Sequence, residues 1–491
     1  MFASHRMRTS HGFAVPCLVW LGFGVTLAGC GAAQMGGDAS GAVAAAVGQP
    51  RPCRILPGDS GVTVVIGQLV QGAEAAEAGA IRIENGVIAE VGGADEVGSD
   101  ADGATVIDCA DWYVSPGFVN AHEHLAASGG FPDPLLEPVY AHREQWQGRA
   151  GPGHYVIEWG RRNDEAGRFW IELRHLFGGT TTLAGGDAVA GLLKNAYYLD
   201  EPENEYRADT QIFPFPNATA MFEEYSCPFG GPSPVEPEFL TGAPSGMPFL
   251  PHIAEGINCT AALEGQFYLD YAEANPGRRY SVVHGVGLQA SDIERLSALD
   301  VTLVWSPRSN VALYNTTVDI PRALRSGARI AIGTDWSYSG SYNMLEEFRC
   351  ADRIDNDAWG DQLSGIDYWR MATVEAAYAM GLEDVTGRLA PGYAADLIVY
   401  RKRSANPYDD LIATQTSDIA AGFVDGALLT GYAPSFEAGQ LPAQCANRIG
   451  EYFVCADYSN YPFDHAELLA ANTDAAPLFS NERQASCGVH R

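Results

Sequence analysis

Short runs of alternating apolar and polar positions fill the N-terminal part of the chain. Residues 62–70 (VTVVIGQLV) have the alternation of one strand, and residues 81–92 (IRIENGVIAEVG) have that of a hairpin. The centre of the hairpin is Asn85-Gly86, a pair that suits a type I′ turn because both residues tolerate positive φ. Residues 104–114 (ATVIDCADWYV) follow as a third extended segment. This part of the chain is therefore predicted to form β structure.

A similar β pattern returns near the other end of the chain. A turn at Pro391-Gly392 precedes the apolar run 396–400, and residues 419–431 (IAAGFVDGALLTG) have a second hairpin pattern. Between the two β-rich parts, apolar runs and helical patterns alternate, which is typical of a parallel α/β barrel. We therefore predict the fold class α/β, with a (β/α)₈ TIM-like barrel and a small β-sandwich domain built from both ends of the chain.

Five polar residues follow apolar runs in the middle of the chain. They are His122 and His124 after PGFVNA, His252 after MPFLP, His284 after YSVV, and Asp335 after IAIGT. In a (β/α)₈ barrel, catalytic side chains converge at the C-terminal ends of the strands. Three or four imidazoles with one carboxylate describe a catalytic metal site that leaves a position for water. The pattern predicts a metal-dependent hydrolase.

The region between the second and fifth expected strands departs from a regular barrel pattern. Residues 191–199 (GLLKNAYYL) have a helical pattern, residues 209–218 offer one strand, and a clear separate third or fourth strand is missing from the pattern. Residues 223–247, rich in Pro and Gly, are predicted to form a loop that shapes or covers the pocket. Helices are predicted from residues 343 and 366, where apolar residues recur at helical spacing.

The first 30 residues have the organisation of an export signal. Two arginines precede an apolar stretch from Phe13 to Ala28, which is shorter than the roughly 20 residues that span a bilayer. The sequence LAGC at 27–30 resembles the lipobox of bacterial lipoproteins, which implies cleavage before Cys30 and acylation of that residue. Gly31 after it implies the outer membrane. An ordinary secretory signal with a chance cysteine is the alternative.

Charge and cysteine content fit an exported enzyme. The chain has 61 acidic and 30 basic residues and a net charge of −31, which argues against nucleic-acid binding because phosphates would be repelled. A solvated acidic surface explains this charge, and attraction of a cationic substrate is the alternative. Without Cys17 and Cys30, eight cysteines remain for up to four disulfides, and Cys445 with Cys455 is the expected local pair.

Four motifs in order resemble the amidohydrolase superfamily, and within it the branch of cytosine deaminases, guanine deaminases and triazine hydrolases. They are PGFVNAHEHL at 116–125, GGTTTLAGG at 178–186, SPRSNVALY at 306–314 and TVEAAYAMGLEDVTGRLAPGYAADLIVY at 373–400. The resemblance runs from about residue 60 to residue 435. The predicted segments are a signal peptide at 1–29, a flexible tether at 30–52, the first part of the β-sandwich at 53–115, the barrel at 116–385, the second part of the β-sandwich at 386–435 and a cysteine-containing tail at 436–491.

The resemblance implies that His122, His124, His252 and Asp335 bind one divalent metal ion, zinc, with iron(II) as the alternative. His122 and His124 can bind the same ion, because side chains two apart on a strand point to the same side. Asp335 would also take a proton from the attacking water. His284 would hydrogen-bond that water or the developing oxyanion, or occasionally ligate the metal.

Glu255 lies in the sequence HIAE at 252–255, which resembles the HxxE motif of the deaminase branch. There the glutamate carries protons to a ring nitrogen and to the leaving ammonia, as a carboxyl group in an enclosed pocket can do. The alternative is that Glu255 only caps a helix or hydrogen-bonds a ligand. Arg308, Asn310 and Trp336 are predicted to contact the substrate.

Lysine content bears on the number of metal ions. Many superfamily members hold two ions bridged by a carboxylated lysine, whereas this chain has only Lys194 and Lys402, and neither is expected near the site. A mononuclear site is therefore predicted.

The predicted function is hydrolysis of a non-peptide carbon–nitrogen bond in a small molecule, most specifically deamination of a cyclic amidine or heterocycle. Hydrolysis of a cyclic or linear amide, as in imidazolonepropionases, is the alternative, and a non-catalytic small-molecule-binding lipoprotein is the third reading. The predicted location is the bacterial cell envelope, on the outer membrane through a lipid on Cys30, and a homo-oligomer is left open.

Overall fold

The computed structural model describes most of the chain after its N-terminal segment. The described residues are 49–97, 102–131, 139–149, 154–197, 208–210, 246–475, 477–479 and 486–488. The predicted signal peptide, Cys30 and most of the tether lie outside these residues, as does nearly all of the loop predicted at 223–247. Within the described part of the chain, no helix combines the length and the apolar character needed to cross a membrane.

Five strands form the N-terminal part of a small sheet. They are β1 Arg54–Leu56, β2 Thr63–Leu69, β3 Glu77–Glu84, β4 Val87–Gly92 and β5 Thr105–Pro116. β3 and β4 form the predicted hairpin, in which Asn85 and Gly86 have φ of 51° and 81°, as a type I′ turn requires. β2 pairs with β3 on one side and with β5 on the other, so its alternating residues are held between two neighbours.

Nine short strands follow and make only parallel pairs. They are β6 Phe118–Asn120, β7 Thr180–Leu183, β8 Lys194–Asn195, β9 Asp209–Thr210, β10 Phe249–Leu250, β11 His252–Ile253, β12 Ser281–His284, β13 Thr302–Trp305 and β14 Ile330–Ile332. β6, β7 and β8 pair in that order, β9 pairs with β10, and β11 to β14 form a four-stranded sheet. The Ala121 amide, just after β6, donates to the Ile332 carbonyl of β14 at 3.2 Å, which joins the last of these sheets to the first.

The region around Lys194 is a strand and not the predicted helix. β8 is a strand that the sequence pattern lacked, whereas β9 lies at the start of the strand offered at 209–218, of which residues 209 and 210 are described; each is two residues long. Lys194 is 3% exposed, and its Nζ lies 2.6 Å from carboxylate oxygens of both Asp396 and Asp425. A buried ammonium group needs such partners, because the loss of its hydration would otherwise be uncompensated. Two residues are too few to show the period of a strand, which explains the wrong prediction.

Five strands after the barrel segment complete the small sheet. They are β15 Leu397–Tyr400, β16 Ile419–Val424, β17 Ala427–Tyr432, β18 Asn447–Ile449 and β19 Tyr452–Val454. β15 pairs antiparallel with β5, so both ends of the chain share one ten-stranded sheet in the order β18-β19-β17-β16-β15-β5-β2-β3-β4, with β1 on β5. β16 and β17 confirm the hairpin predicted at 419–431.

Three disulfides within the described residues fasten the outer parts of the molecule. Cys445–Cys455 confirms the predicted local pair. Cys53–Cys109 links the segment before β1 to β5, and Cys350–Cys487 links a barrel helix to the C-terminal tail. Cross-links of this kind stabilise the folded chain mainly by restricting the unfolded one.

Helices cover the strands and connect them. The α-helices of the described residues are Ala94–Val97, Arg143–Trp146, Glu165–Phe177, Cys259–Ala274, Ala290–Ala298, Pro307–Tyr314, Ile320–Arg325, Met344–Ile354, Gly365–Met371, Val374–Ala379, Pro407–Ala413 and His465–Ala471. The helix predicted from residue 343 begins after Asn343, whose side chain accepts a hydrogen bond from the Glu346 amide. The helix predicted from residue 366 is two helices, because Thr373 between them has φ −131° and ψ −95°.

Candidate metal centre and catalytic pocket

The predicted metal ligands lie where parallel strands end. His122 and His124 follow β6, His252 begins the two-residue strand β11, and Asp335 follows β14. His284 is the last residue of β12. The side chains of His122 and Asp335 are 3% and 5% exposed, whereas that of His124 is 18% exposed. The site is therefore enclosed by protein and reachable from the side of His124.

The side-chain donor atoms of these residues converge. His124 Nε2 lies 3.1 Å from His252 Nε2, and Asp335 Oδ1 lies 3.2 Å from His122 Nε2 and 3.4 Å from His124 Nε2. One donor atom each from His122, His284 and Asp335 lie within 4.8 Å of one another. Nitrogen and carboxylate ligands at such separations can share one cation.

The chemistry of this donor set fits a divalent metal ion. Among the described residues, nothing hydrogen-bonds to the buried Nε2 of His284. Buried polar atoms left in this way are destabilising unless something binds them. Three imidazoles with one carboxylate are ligands that zinc and related ions accept, with a further position left for water.

Burial keeps the imidazoles in the neutral form that binds a metal. It lowers the pKa of His124 to about 4, lowers the pKa of His252 well below its ordinary value, and lowers the pKa of His122 as well. For Asp335, burial alone would raise the pKa, but the neighbouring His122 and His284 hold that pKa below its usual value. Neutral imidazoles and an ionised carboxylate are the ligand-competent states.

The backbone at the site is strained in three places. Ala254, His284 and Asp335 have φ of 55°, 70° and 57°, in the left-handed region that residues with a Cβ rarely adopt. The strand ends also approach closely, because a Cβ at Gly333 would lie 2.5 Å from the backbone nitrogen of His122. Strain of this kind persists only where the surrounding structure fixes it, and here it turns site residues toward one point.

Polar neighbours fix the orientation of His284 and Asp335. Asn310 Oδ1 lies 2.9 Å from His284 Nδ1. Because an amide oxygen only accepts, Nδ1 carries the proton and Nε2 keeps its lone pair toward the site. The Ser309 hydroxyl donates to Asp335 Oδ2 at 2.5 Å, which leaves Oδ1 for the metal centre. Both neighbours belong to the helix that follows β13.

Glu255 lies beside the metal donors and is 1% exposed. The Tyr314 hydroxyl donates to its Oε1 at 2.9 Å, and Trp146 Nε1 donates to the Tyr314 oxygen at 2.9 Å. Its Oε2 has no hydrogen-bond partner among the described residues, and its Oε1 lies 3.9 Å from His284 Nε2. Burial raises the pKa of Glu255 to about 7, although His284 opposes this rise. A carboxyl group so placed can hold or release a proton near neutral pH.

A buried ion pair supports the turn that carries Glu255. Arg143 and Glu264 form a bidentate pair at 2.6 and 2.7 Å, and both side chains are fully buried. Glu264 Oε2 also accepts from the Ala254 amide at 3.2 Å, and the Arg143 amide donates to the Glu255 carbonyl at 3.1 Å. Burial alone would raise the pKa of Glu264, but Arg143 and His142 lower it to about 2. The pair therefore stays ionised and fixes the backbone of the HIAE segment.

A cavity of about 470 Å³ adjoins the metal donors and Glu255. Of the predicted substrate contacts, Trp336 lines this cavity, whereas Arg308 and Asn310 do not. Arg308 is 7% exposed and its Nε donates to Ser341 Oγ at 2.7 Å. The sequence placed both residues in the loop after β13, but the helix that begins there directs them to neighbouring side chains.

Three residues of the site were not predicted from the sequence. Tyr314 is the last residue of the SPRSNVALY motif, so its position could have suggested a role, but nothing in its spacing pointed to Glu255. Trp146 and Glu264 lie in separate helices without a motif of their own. Contacts between residues far apart in the chain, such as Trp146 with Tyr314, become visible only in the fold.

Comparison with known proteins gives a family for part of the chain. Residues 249–429 match the model of the amidohydrolase family. A 5-methylthioadenosine/S-adenosylhomocysteine deaminase of Pelotomaculum thermopropionicum is 34% identical over 231 residues, which cover 43% of this chain and 51% of that protein. A protein of the same name from Thermococcus onnurineus is 28% identical over 403 residues, which cover 71% of this chain and 89% of that protein. The chain thus spans about half the length of the first relative and most of the second.

Solved structures with a similar fold are known. An adenosine deaminase from Xanthomonas campestris with bound zinc has a TM-score of 0.52 and 18% identity, covering 86% of this chain and 98% of its own. An atrazine chlorohydrolase from Arthrobacter aurescens TC1 complexed with zinc has a TM-score of 0.53 and 17% identity, covering 84% of this chain and 99% of its own. At these identities the likeness concerns the fold, which is TIM-barrel-like α/β. The comparisons thus show that residues 249–429 are similar to the amidohydrolase family and that the chain shares the fold of these solved structures.

Proposed function

We propose that this chain is a metal-dependent hydrolase of non-peptide carbon–nitrogen bonds that removes ammonia from a heterocyclic amidine. The observation that carries this proposal is the position of Glu255. Its Oε1 accepts a hydrogen bond from Tyr314, its Oε2 has no partner in the described part of the chain, and it lies beside His284 and the metal donors. An acid–base group in that position can serve both the attack of water and the departure of the amine.

The residues around the metal site divide the first proton transfer between them. His122, His124, His252 and Asp335 would hold one divalent ion, zinc, which when bound lowers the pKa of water so that hydroxide forms near neutral pH. Asp335 accepts the proton of the attacking water through Oδ1. His284 accepts a hydrogen bond from the remaining O–H at Nε2, because its Nδ1 proton is engaged by Asn310. The water oxygen is thereby directed at the amidine carbon.

Glu255 completes the reaction in two proton transfers. It donates a proton to the ring nitrogen as the water oxygen bonds to the adjacent carbon. It then takes the proton of the new hydroxyl group as the ring carbonyl forms, while Asp335 gives the first proton of the water to the amino group, so that the carbon–nitrogen bond breaks and ammonia leaves. One water is consumed and one ammonia is released for each heterocycle.

The relatives suggest the first substrates and the metal. Their names refer to deaminases of 5-methylthioadenosine, S-adenosylhomocysteine and adenosine, all of which carry a 6-aminopurine. A 6-aminopurine is a cyclic amidine, so it is the substrate class that we propose to test first. We propose zinc in a mononuclear site, since Lys194 Nζ is held by Asp396 and Asp425 and so does not bridge metal ions.

Glu255→Gln tests this mechanism, with Glu375→Gln as the matched control. Glu375 is a half-buried carboxylate that pairs with Arg329 at 2.7 Å outside the cavity lining. We expect Glu255→Gln to lower kcat for ammonia release by about 10²–10⁴-fold with the metal content unchanged, because it removes one acid–base group. Near-normal turnover in this variant would remove Glu255 from the mechanism.

The identity of the product separates deamination from the alternative reaction. Ammonia from a panel of 6-aminopurines and other heterocyclic amines supports the proposal. A new carboxylate from cyclic or linear amides, without ammonia from the amines, would assign the site to amide hydrolysis. Absence of metal-dependent turnover of both classes would leave a small-molecule-binding protein.

We further propose a location and a finer architecture for the chain. The LAGC sequence supports a lipid on Cys30 that tethers the protein to the outer membrane, and labelling with a radioactive fatty acid that Cys30→Ala abolishes would test it. The parallel strands support an eight-stranded barrel within 116–385. A shared apolar core, which includes Val65, Ile81, Val399 and Phe423, supports curling of the small sheet into a β-sandwich.

A further inference from the structure

Aromatic side chains form one wall of the cavity next to the metal donors. Trp146, Trp159 and Trp336 all line the cavity, and the ring centroid of Trp336 lies 5.3 Å from that of Trp146 and 6.0 Å from that of Trp159. The Trp336 ring also lies 6.4 Å from the His124 ring, so the wall begins beside the metal site. Trp336 contacts both other rings, tilted by 43° to that of Trp146 and edge-on at 74° to that of Trp159, so the three indoles line neighbouring parts of the cavity.

Trp159 differs from a tryptophan packed in a protein core because much of its side chain is exposed to solvent. Trp146 and Trp336 are 7% and 5% exposed, but Trp159 is 48% exposed although it lines the cavity. Val156, three residues earlier, also lines the cavity and is 42% exposed. Apolar surface of this size in contact with water is destabilising, and a flat apolar ligand that covers it recovers that free energy.

The cationic residues of the same cavity are already paired. Arg161 Nη2 lies 2.6 Å from Asp187 Oδ2, and Arg149 Nη1 lies 3.9 Å from Glu144 Oε1. Among the described lining residues, the only carboxylates belong to the reacting end of the cavity. The arginines of the described lining are therefore not placed to attract an anionic substituent. Its carboxylates lie at the reacting end and so do not bind the hydroxyl groups of a sugar beside the tryptophans.

We infer that the heterocycle taken by this site carries a flat, uncharged aryl group on the side away from the reacting carbon, and that Trp159 is the specificity residue that stacks on it. This inference rests on the proposed deamination and specifies its substrate class. A ribose against the exposed apolar surface of Trp159 and Val156 would take hydroxyl groups from water without offering them partners there, and apart from the tryptophans and histidines the uncharged polar side chains of the described lining are Gln147 and Tyr197. A cavity of about 470 Å³ has the size of a site for a two-ring ligand with a substituent.

The test compares two substrates that share the reacting amidine and differ in the substituent. 9-Benzyladenine and adenosine are assayed for ammonia release by the zinc-loaded chain. We expect kcat/KM for the benzyl compound to exceed that for adenosine by about tenfold or more, since aromatic stacking and apolar burial favour it. Trp159→Ala should lower the benzyl value by about tenfold and leave adenosine nearly unchanged, whereas Trp159→Phe should retain most of the preference. Trp359→Phe, a tryptophan outside the cavity lining, is the control.

The outcomes distinguish this inference from the proposed function. A preference for adenosine, or equal losses for both substrates in Trp159→Ala, overturns the inference and leaves deamination in place. If neither compound is turned over, the result counts against deamination. The affinity of the chain for the two compounds then tests the inference. In equilibrium dialysis with the zinc-loaded chain, tighter binding of 9-benzyladenine that Trp159→Ala weakens at least about fivefold supports it. Equal binding to the wild type and to Trp159→Ala, or no saturable binding, overturns it.

Discussion

The small sheet and the strand ends of the barrel use β structure in opposite ways. In the small sheet, β2 and β3 pair over the whole length of β2, from Thr63 to Leu69. Alternate side chains of the two strands, such as Val65 and Ile81, are apolar and buried. Among the parallel strands, β8 to β11 are each two residues long. The buried groups at those strand ends are imidazoles and carboxylates, and three of the residues have positive φ.

This contrast separates residues that stabilise the chain from residues that bind and react. Long pairing and apolar burial lower the free energy of the sheet without presenting any reactive group. At the strand ends, buried ionisable groups and a strained backbone raise the free energy and are held only by their surroundings. Changes in the sheet should therefore alter the free energy of unfolding, whereas changes at the strand ends should alter chemistry.

The largest expected effect is loss of activity in Asp335→Asn. An amide cannot accept the proton of the attacking water, so kcat should fall by about 10²–10⁴-fold. Because Asn keeps the shape of Asp, the far-ultraviolet circular dichroism should be unchanged. Asp108→Asn, which breaks an ion pair with Arg54 on the small sheet, is the control and should keep full activity. Similar activity in the two variants would contradict the division between the regions.

Glu264→Gln is expected to be an exception to this division between the regions, because Glu264 lies at the site and yet the change should lower the free energy of unfolding. The change leaves Arg143 buried without its ionic partner, which should lower the free energy of unfolding by about 3–5 kcal/mol. Urea unfolding of the zinc-loaded proteins at pH 7 measures this difference. The exposed pair of Arg322 with Glu294 supplies the control, since Glu294→Gln should have almost no effect.

The effect of Glu264→Gln should depend on pH in a defined direction. The folded-state pKa of Glu264 is about 2, below its ordinary value of 4.5. The ionised pair therefore contributes stability that is fully present above about pH 4.5 and is lost as the pH falls toward 2. The difference in unfolding free energy between wild type and variant should shrink over that interval. A difference that stays constant from pH 7 to low pH would contradict the assignment.

Removal of the Cys445–Cys455 disulfide should affect stability alone. The two cysteines are 10 residues apart, and a loop of this length gives about 2–3 kcal/mol by restricting the unfolded chain. We expect the double variant Cys445→Ser/Cys455→Ser to lose stability by that amount in urea unfolding. Its kcat/KM for ammonia release should equal that of the wild type, and a fall in activity at full folding would link the tail to the site.

Gly86→Ala has the smallest expected effect and tests a contact between two hairpin turns of the small sheet. Gly86 has φ of 81°, and a Cβ there would lie 3.0 Å from the Asp425 carbonyl oxygen in the neighbouring hairpin turn. Positive φ in alanine costs about 1 kcal/mol. Gly439→Ala is the matched control, because Gly439 also has a positive φ of 79°, but a Cβ there would have no other described heavy atom within 4 Å. A larger loss of thermal stability for Gly86→Ala measures the contact between the turns, and equal losses would exclude its contribution.

The parts of the molecule with local patterns could be predicted from the sequence. The hairpins at 81–92 and 419–431 follow from alternation and turn residues, and the structure has both. His122, His252 and Asp335 were placed together because each follows an apolar run, and strand ends in a parallel barrel meet. Their roles in binding and proton transfer stay predictions.

The remainder depends on contacts that leave no local pattern. β8 is too short to show a period, and its parallel pairing with β7 specifies it as a strand. The contact of Trp146 with Tyr314 joins residues 168 positions apart. Arg308 could not be assigned a direction, because the first turn of a helix can face the cavity or the neighbouring helix, and here its backbone amide donates to Glu347.

The pairing of β5 with β15 has a consequence for how the protein is made. Leu397 pairs with Pro116, so one strand at the centre of the small sheet waits for a partner that is synthesised after the entire barrel. Contacts of such long sequence separation form late, because a large loop must close first. Until then β5 has an unpaired edge, which invites pairing with other chains. We therefore expect a chaperone that covers this edge during synthesis to raise the yield of folded chain.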